Sequence, residues 1–364
     1  MSQAEAETQD PRIDALHQRM AEHSLGGHWQ ARRRNPSPKL VPHLWPWSIV
    51  YECLMESGEV IKLGRIDEPA KRRTVNLVNP AITDFKSTSR TLQMSVQLVK
   101  PGEMAECHRH TAAALRFVVE GEGAGYTNVE GEQMIMEPGD LVLTPHWTWH
   151  DHKNPGEKQL VWLDVLDVHL INHLDANIHE NYSDSEISDN YFDGAAQTVV
   201  HEDGYCRRRF GVLRPASAHV DSRFLPYAYK WRDTLAALEA MAAAGESDPY
   251  DGILLDYTNP LTGGPTMPTI GCRAQLLAPG ESTKTHRHMS STIYHVVEGA
   301  GVTTVGWELS GGEDLAWGTR DCFFVPSQAW HSFTNISKSE RAILFSVSDR
   351  PVLESLGLYR EEQA

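Results

Sequence analysis

Short runs of apolar residues alternate with turn-forming residues along most of the chain after Arg73. In the first half these runs cover residues 74–78, 92–99, 115–119, 141–143 and 160–168. Pro-Gly, Glu-Gly and Pro-Gly-Asp sequences separate them, and similar runs resume near Ile253 and continue to about Val347. Short apolar runs bounded by such turns predict β-strands. The pattern predicts an all-β protein built as an antiparallel barrel or jelly roll.

Two segments outside these strands have the signals of helices. Asp10-Pro11 predicts a helix start and Gly26 predicts its end. The apolar face of this helix would consist of Ile13, Leu16 and Met20. A second helix is predicted from Asp233 to Ala244, where Gly245 would end it.

The second half of the chain repeats the first. Shifting residues 97–123 by 178 positions onto 275–301 gives thirteen identities, and a shift of 181 aligns a later block. The matches include the pairs His108/His286, His110/His288 and His150/His331. The chain is therefore one unit used twice, with three histidines in each copy.

The repeat predicts two domains, which a chain of 364 residues is long enough to form. We expect a helical or irregular arm over 1–70, a first barrel over 71–170, a connecting segment with a helix over 171–250, and a second barrel over 251–364. Within these limits, the basic and then Pro- and Trp-rich residues 28–46 predict irregular structure. Residues 169–230 predict a polar connection.

Composition excludes several classes of function. The net charge of −16 argues against nucleic acid or an anionic membrane as partner. The sequence contains no run of eighteen apolar residues, so no membrane span is predicted. The N-terminus is polar and acidic, so no secretory signal is predicted. The five cysteines, at 53, 107, 206, 272 and 322, form no Cys-x-x-Cys pair. They predict reduced thiols in a cytoplasmic protein.

Each copy has a His-x-His pair followed by a third histidine, which is typical of a metal site because imidazole is the commonest protein ligand for transition metals. The predicted ligands are His108, His110 and His150 in the first copy and His286, His288 and His331 in the second. Three neutral imidazoles leave an ion its full 2+ charge and, if it is octahedral, about three open positions. This suits a chelating anionic substrate with room for dioxygen.

His169, His173 and His179 have no repeated counterpart, so we expect them to be solvated or structural.

Polar residues near the first triad are candidates for binding substrate. Arg116 follows His110 by six residues, and a guanidinium can grip a carboxylate through two hydrogen bonds. His152 lies two residues after His150, so on one strand both would face the same side. It could donate a hydrogen bond or move a proton. The alternative for both is a structural role, for Arg116 a surface ion pair.

The second copy lacks these groups, because Tyr294 and Phe333 occupy the positions equivalent to Arg116 and His152. We therefore expect the second triad to bind a metal that is chiefly structural or only weakly active. Asp164, on the strand predicted over 160–168, is a candidate partner for the polar groups of the first site. The alternative is an ordinary strand residue.

The spacing of the motif residues resembles the two signature motifs of the cupin superfamily. The matching positions of the first copy are Gly102, His108, His110, Gly121, Gly139, Pro145, His150 and Asn154. The resemblance implies a bicupin, that is, two jelly-roll β-barrels with a few peripheral helices. Ala114 and Thr292 stand where many cupins have a glutamate ligand. The chain therefore does not suit the three-His-one-Glu manganese decarboxylases of this superfamily.

Residues 115–123, Leu-Arg-Phe-Val-Val-Glu-Gly-Glu-Gly, followed by His150-Asp151-His152, resemble the gentisate 1,2-dioxygenase family. That family includes salicylate and 1-hydroxy-2-naphthoate dioxygenases. The resemblance implies Fe(II), dioxygen as co-substrate, ring cleavage between the carboxyl- and hydroxyl-bearing carbons, and a homotetramer. The implied iron ligands are His108, His110 and His150, and the implied substrate residues are Arg72, Arg116 and His152. Gln93 stands where members often have Trp, which leaves the ring substituents open.

The leading hypothesis is therefore a ring-cleaving dioxygenase acting on a small anionic aromatic substrate, with gentisate converted to maleylpyruvate. A salicylate- or 1-hydroxy-2-naphthoate-type dioxygenase is the alternative within the family. A second hypothesis is a non-catalytic bicupin that uses metal for stability. A third is an isomerase or decarboxylase on a zinc or manganese cupin.

Overall fold

The computed structural model describes residues 11–27, 29, 40–61, 72–182, 199 and 225–364. Its contacts divide the chain into two compact units, Met1–Lys39 and Leu40–Ala364. In the first unit, helix α1 spans Pro11–Glu22, so it begins at the predicted residue but ends before Gly26. The proposed cap Asp10 lies outside the described residues. None of the helices in the described part is long and apolar enough to cross a membrane.

The second unit contains two barrels of antiparallel strands. Strand β1 (His43–Trp45) and helix α2 (Trp47–Val60) come first. The first barrel comprises β2 (Thr74–Asn76), β3 (Gln93–Val99), β4 (Met104–His110), β5 (Ala114–Glu120), β6 (Tyr126–Val129), β7 (Glu132–Ile135), β8 (Leu141–Thr144), β9 (His150–Lys153) and β10 (Leu160–Leu166). Helix α3 (Val168–His173), β11 (His179–Asn181), β12 (Ala228–Tyr229) and helix α4 (Trp231–Ala244) follow.

The second barrel repeats this plan. It comprises β13 (Ile253–Tyr257), β14 (Gly271–Leu277), β15 (His286–His288), β16 (Thr292–Glu298), β17 (Ala300–Gly306), β18 (Glu313–Gly318), β19 (Cys322–Val325), β20 (Trp330–Asn335) and β21 (Ala342–Ser348). Helix α5 (Arg350–Ser355) and β22 (Glu361–Gln363) end the described chain. The predicted all-β bicupin is confirmed. Helix α4 ends at Gly245, as predicted, and the φ of 72° at this residue is in the left-handed region that glycine adopts readily.

Each barrel consists of two facing sheets. The first barrel has the strand orders β12-β8-β5-β10-β3-β2 and β11-β4-β9-β6-β7. The second has β1-β19-β16-β21-β14-β13 and β18-β17-β20-β15-β22. The sheets that contain β5 and β16 are the apolar ones, and β5 is buried at six of its seven positions. The polar strands β4 and β9, which no apolar run predicted, lie in the opposite sheet and contain the histidines.

The two barrels exchange their N-terminal arms. Strand β1, which precedes the first barrel, pairs with β19 of the second, and β12, which precedes the second barrel, pairs with β8 of the first. The Trp47 backbone N–H at the start of α2 donates to Asp321 Oδ1 (2.7 Å), and that of Trp231 at the start of α4 donates to Asp140 Oδ1 (2.9 Å). The prediction of irregular structure is therefore wrong over 43–45, because a partner strand distant in sequence orders these residues.

A pair of aspartates joins the barrels in both directions. Asp167 accepts from the Ala113 backbone N–H of its own barrel (2.8 Å) and from Thr269 Oγ1 of the second (2.6 Å). Asp349 likewise accepts from a backbone N–H of its own barrel (3.0 Å) and from Thr91 Oγ1 of the first (2.7 Å). Both carboxylates are buried. The two barrels are thus held together by specific polar contacts as well as by apolar packing.

Candidate metal centre and active site

The first barrel brings His108, His110 and His150 together. Strands β4 and β9 pair antiparallel with His108 opposite His150, and alternation along β4 puts His110 on the same face as His108. One ligand nitrogen from each residue lies within 4.8 Å of the others. The ring centroids of His108 and His150 are 4.3 Å apart, and those of His110 and His150 are 5.0 Å apart.

Backbone carbonyls set the orientation of the three rings. The Nδ1 atoms lie 3.2 Å from Glu106 O for His108, 2.7 Å from Ala112 O for His110 and 2.9 Å from Thr148 O for His150. A carbonyl can only accept, so in His110 and His150 Nδ1 carries the hydrogen and Nε2 keeps its lone pair. His108 Nδ1 faces a second neighbour, Arg72 Nη2, at 2.6 Å. Among the described residues, nothing forms a hydrogen bond with the buried His150 Nε2. The rings of His110 and His150 therefore fit a metal bound through Nε2.

The electrostatics of the triad favour neutral ligands. Burial lowers the pKa of all three imidazoles, to about 4 for His110, and for His108 the Arg72 guanidinium lowers the pKa further. Neutral imidazole is the form that binds a metal. A donor set of three imidazoles suits iron, zinc, copper or nickel rather than magnesium or calcium.

Arg116 and Asp164 form a buried pair in the facing sheet. They lie opposite each other on β5 and β10, with Arg116 Nε 3.6 Å from Asp164 Oδ1. Arg116 is 2% exposed, so the surface position considered above is wrong, and its Nη1 donates to Thr144 Oγ1. Burial raises the pKa of Asp164, although Arg116 opposes this shift. Thr144 was not predicted, because no local sequence signal links it to Arg116.

His152 lies on the same strand and the same side as His150, as expected from their spacing, and both are buried. Its Nδ1 is 2.8 Å from Thr127 Oγ1, and that hydroxyl donates to Met136 Sδ (3.2 Å). Nε2 has no hydrogen-bond partner among the described residues, so it is the ring nitrogen that remains open to a further partner. Burial lowers the pKa of His152, with Arg116 adding to the effect. His152 is thus a neutral group whose Nε2 can accept a hydrogen bond or a proton.

Arg72 lies behind the first ligand. Its Nη2 donates to Glu106 O (2.8 Å) and is 2.6 Å from His108 Nδ1, so the guanidinium sits against the outer nitrogen of that ring. Burial, and then the charge of Arg116, lowers the pKa of Arg72 to about 10. It remains protonated at pH 7. The site therefore contains two guanidinium groups.

The other histidines of the connecting segment are not part of the triad. His169 Nε2 lies 3.2 Å from Gln93 Oε1, and His173 Nδ1 lies 2.5 Å from His169 O. His179 is exposed, yet its ring stacks on that of His108 at 5.2 Å, because β11 pairs with β4. The sequence contains no sign of this pairing.

Several buried polar atoms of the first barrel have no hydrogen-bond partner among the described residues. They are Arg116 Nε, Asp164 Oδ1, Gln97 Nε2, His150 Nε2 and His152 Nε2. Buried polar groups are almost always hydrogen-bonded in folded proteins, so such a group of atoms calls for an explanation such as a bound ion or ligand.

The second triad has the same frame but different surroundings. His286, His288 and His331 are buried, and their ligand atoms also lie within 4.8 Å of one another. Tyr294 and Phe333, which replace Arg116 and His152, pack in an apolar cluster, with ring centroids 5.4 Å apart. The second barrel therefore lacks the polar groups that surround the first triad.

Comparison with known proteins agrees with the repeat and the site. The family model of the cupin domain matches residues 95–166 and 274–348. A 5-aminosalicylate 1,2-dioxygenase from Comamonas sp. is 40% identical over 357 residues, covering 96% of this chain and 90% of its own length. A gentisate 1,2-dioxygenase from Aquipseudomonas alcaligenes is 34% identical, covering 96% and 95%.

A solved structure is similar over the whole chain. The salicylate 1,2-dioxygenase from Pseudoaminobacter salicylatoxidans, crystallised as an adduct with gentisate, superposes with a TM-score of 0.84 at 31% identity. The match covers 100% of this chain and 97% of that one. With two cupin domains, a triad of neutral imidazoles and relatives of this identity over nearly its full length, the chain belongs to the gentisate 1,2-dioxygenase family of ring-cleaving bicupin dioxygenases.

Proposed function

We propose that the first barrel binds Fe(II) and cleaves the ring of a 2-hydroxybenzoate between its carboxyl- and hydroxyl-bearing carbons, with gentisate converted to maleylpyruvate. The observation that supports this most is the grouping of three neutral imidazoles with two guanidiniums and a fourth, neutral histidine. Dioxygen reacts slowly with closed-shell organic molecules, and iron supplies the redox chemistry that overcomes this. His108, His110 and His150 would hold the ion.

Arg116 would bind the substrate carboxylate, and Arg72, which lies against the outer nitrogen of His108, would add positive charge to the site. Arg116 is held by Thr144 and lies 3.6 Å from Asp164, so its guanidinium is oriented before substrate enters. A preoriented guanidinium loses little conformational entropy on binding a carboxylate. Asp164 acts as a positioning residue, because it contacts Arg116 rather than the substrate.

His152 would take the proton of the substrate hydroxyl. Its Nδ1 is committed to Thr127, so Nε2 is the nitrogen that can accept a proton. Its lowered pKa keeps it neutral and ready to act as a base at pH 7. The carboxylate and the ionised hydroxyl would then form the chelating anion that the triad leaves room for.

A second candidate substrate is 5-aminosalicylate, which the 40% identity to the Comamonas enzyme favours. Like gentisate, it has an electron-donating polar group para to the hydroxyl. Gln93 shares a face of β3 with Ser95 and Gln97, and its Nε2 donates to Asn76 Oδ1 (3.1 Å). If this polar face of β3 meets the ring of the substrate, it suits a polar substituent better than an unsubstituted or fused ring.

The test is oxygen uptake by protein purified anaerobically and loaded with Fe(II). Gentisate, 5-aminosalicylate, salicylate and 1-hydroxy-2-naphthoate are compared, with 5-hydroxy-2-methoxybenzoate as the control that cannot lose a proton from the 2-oxygen. We expect uptake with gentisate or 5-aminosalicylate, a product heavier by two oxygen atoms, and none with the control. Iron-loaded protein that consumes no oxygen with any of them would leave a non-catalytic bicupin as the better hypothesis.

We also propose that the protein is a homotetramer in the cytoplasm. The family resemblance supports the tetramer. The cysteines support a reducing compartment, since Cys53, Cys272 and Cys322 are free thiols in the described chain, while Cys206 lies outside it. Light scattering after size-exclusion chromatography measures the assembly, and a mass near 40.8 kDa would contradict it.

A further inference from the structure

Asp251 lies against the second histidine triad. In the turn before β13, its backbone N–H is 3.2 Å from Asp248 Oδ1 and its carbonyl accepts from Gln275 Nε2 (2.8 Å). Its carboxylate Oδ1 is 3.8 Å from His286 Nε2, and the side chain is 18% exposed. The carboxylate is therefore fixed, mostly buried, and directed at a ring nitrogen of the triad.

The distances fit a shared ion. Ligand atoms lie about 2.0–2.2 Å from a zinc-like ion, so two of them are about 3–4.4 Å apart. The 3.8 Å between Asp251 and His286 falls in this range. The three histidine ligand atoms lie within 4.8 Å of one another without Asp251, so its carboxylate would turn further toward the ion on binding. His288 and His331 direct Nδ1 at the carbonyls of Ser290 and Ala329, both at 3.0 Å, which leaves their Nε2 atoms for the ion.

The first barrel has an opposite charge at a neighbouring position. The pairings of Thr74 with Gln97 and of Leu254 with Gln275 make Arg72 the counterpart of Gly252, the residue after Asp251. Arg72 contacts Nδ1 of His108, whereas Asp251 faces Nε2 of His286. Neighbouring backbone positions thus place a cation beside one triad and an anion beside the other.

We propose that the second barrel binds a divalent transition-metal ion through His286, His288, His331 and Asp251, as a structural site that takes no aromatic anion. The carboxylate lowers the charge of the centre from 2+ to 1+ and fills a position that would be open in the first barrel. Three imidazoles with one carboxylate suit zinc, manganese or iron.

The surroundings of the second triad also exclude an anionic substrate. Tyr294 and Phe333 provide no positive charge. Arg273 and Arg350 line the same cavity, but Arg273 Nε donates to Asp256 Oδ1 (2.7 Å) and Arg350 Nε donates to Glu354 Oε1 (2.6 Å). With Asp251 beside the ion, a carboxylate substrate would meet a like charge, which costs binding energy. The site is therefore suited to holding an ion and the elements around it, namely β13, β15 and β20.

The test isolates the second site in a His108→Ala/His110→Ala background. Zn²⁺ is the probe, and its affinity for the metal-free protein is measured by competition with a chromogenic chelator. We expect about one ion per subunit in this background. Adding Asp251→Asn, which keeps the side-chain shape, should weaken Zn²⁺ binding at least about 10- to 100-fold. Zn²⁺ should also raise the thermal unfolding midpoint of the background protein more than that of the Asp251→Asn protein.

Glu246→Gln is the matched control, because it removes one exposed negative charge from the segment just before β13, and it should leave Zn²⁺ affinity unchanged. Asp251→Ser also removes the carboxylate and replaces Asp251→Asn if that variant does not fold. Unchanged affinity without the carboxylate would overturn its role as a ligand, and a background protein that binds no Zn²⁺ would overturn the site. Neither result depends on the reaction proposed for the first barrel, which oxygen uptake tests separately.

Discussion

Replacing Arg116 with alanine should damage folding and catalysis by separate routes that can be measured apart. Asp164 is 8% exposed and has Arg116 as its ion-pair partner at 3.6 Å. Removing one member of a buried pair leaves the other charge without compensation, at a cost of about 3–5 kcal/mol of folding free energy. The substrate carboxylate also loses a charge-assisted hydrogen bond of about 1.5–3 kcal/mol. That corresponds to a fall of about 10- to 150-fold in kcat/KM, mostly through a higher KM.

The two effects separate in the double variant Arg116→Ala/Asp164→Asn. Neutralising residue 164 removes the uncompensated charge, so most of the lost folding free energy should return. Activity should stay low, because no guanidinium replaces the one that was removed. Urea unfolding of the metal-free proteins gives the stabilities, and oxygen uptake with gentisate gives kcat and KM. Recovery of activity together with stability would refute the assignment of Arg116 to substrate binding. An Arg116→Ala protein as stable as the parent would refute the argument from the buried pair.

Other changes test the remaining assignments. Replacing His108, His110 or His150 with alanine should abolish turnover and remove the iron of the first barrel; normal turnover in any one of them would refute the triad. His152→Phe, which copies Phe333 of the second barrel, should lower kcat about 10²- to 10⁴-fold with little change in KM; an equal rise in KM would assign it to binding. Burial raises the pKa of Asp349 to about 6, so the folded protein keeps a proton that an unfolded chain, with a pKa of about 3.9, releases. The contribution of Asp349 to the free energy of unfolding should therefore fall by about 3 kcal/mol between about pH 4 and pH 6. The difference in stability between the parent and Asp349→Asn should change by this amount over that range, and a difference that does not vary with pH would argue against the shift.

The ligand set could be predicted from the sequence because metal binding constrains residue type and spacing together. His108 and His110 must lie two residues apart on one strand so that both side chains share a face, and the repeat doubles the evidence for them. His152 followed from the same two-residue period. The apolar strands could be predicted as well, since their side chains form the core.

What could not be predicted depends on contacts between residues far apart in the chain. Strands β4 and β9 direct polar ligands inward, so they lack the apolar run that marks a strand. Thr127 and Thr144 position His152 and Arg116 through side-chain bonds across 25 and 28 residues. Asp251 lies outside the block in which the two copies were aligned, so the repeat did not point to it. Such contacts become visible only when the strands are assembled.

The contacts between the two barrels come in matching pairs, as in an isologous interface, where each contact has a counterpart with the roles reversed. The exchanged arms form one such pair, and the reciprocal aspartates form another. Phe117 even packs against its own repeat partner, His295, with ring centroids 5.7 Å apart, as residues on a two-fold axis do. The molecule thus has the form of a homodimer whose subunits swapped their arms and are joined in one chain. In a true homodimer both sites change together, because one gene encodes both. Covalent joining removes that constraint, so Arg116 and His152 can remain in one barrel while the other holds tyrosine, phenylalanine and a carboxylate.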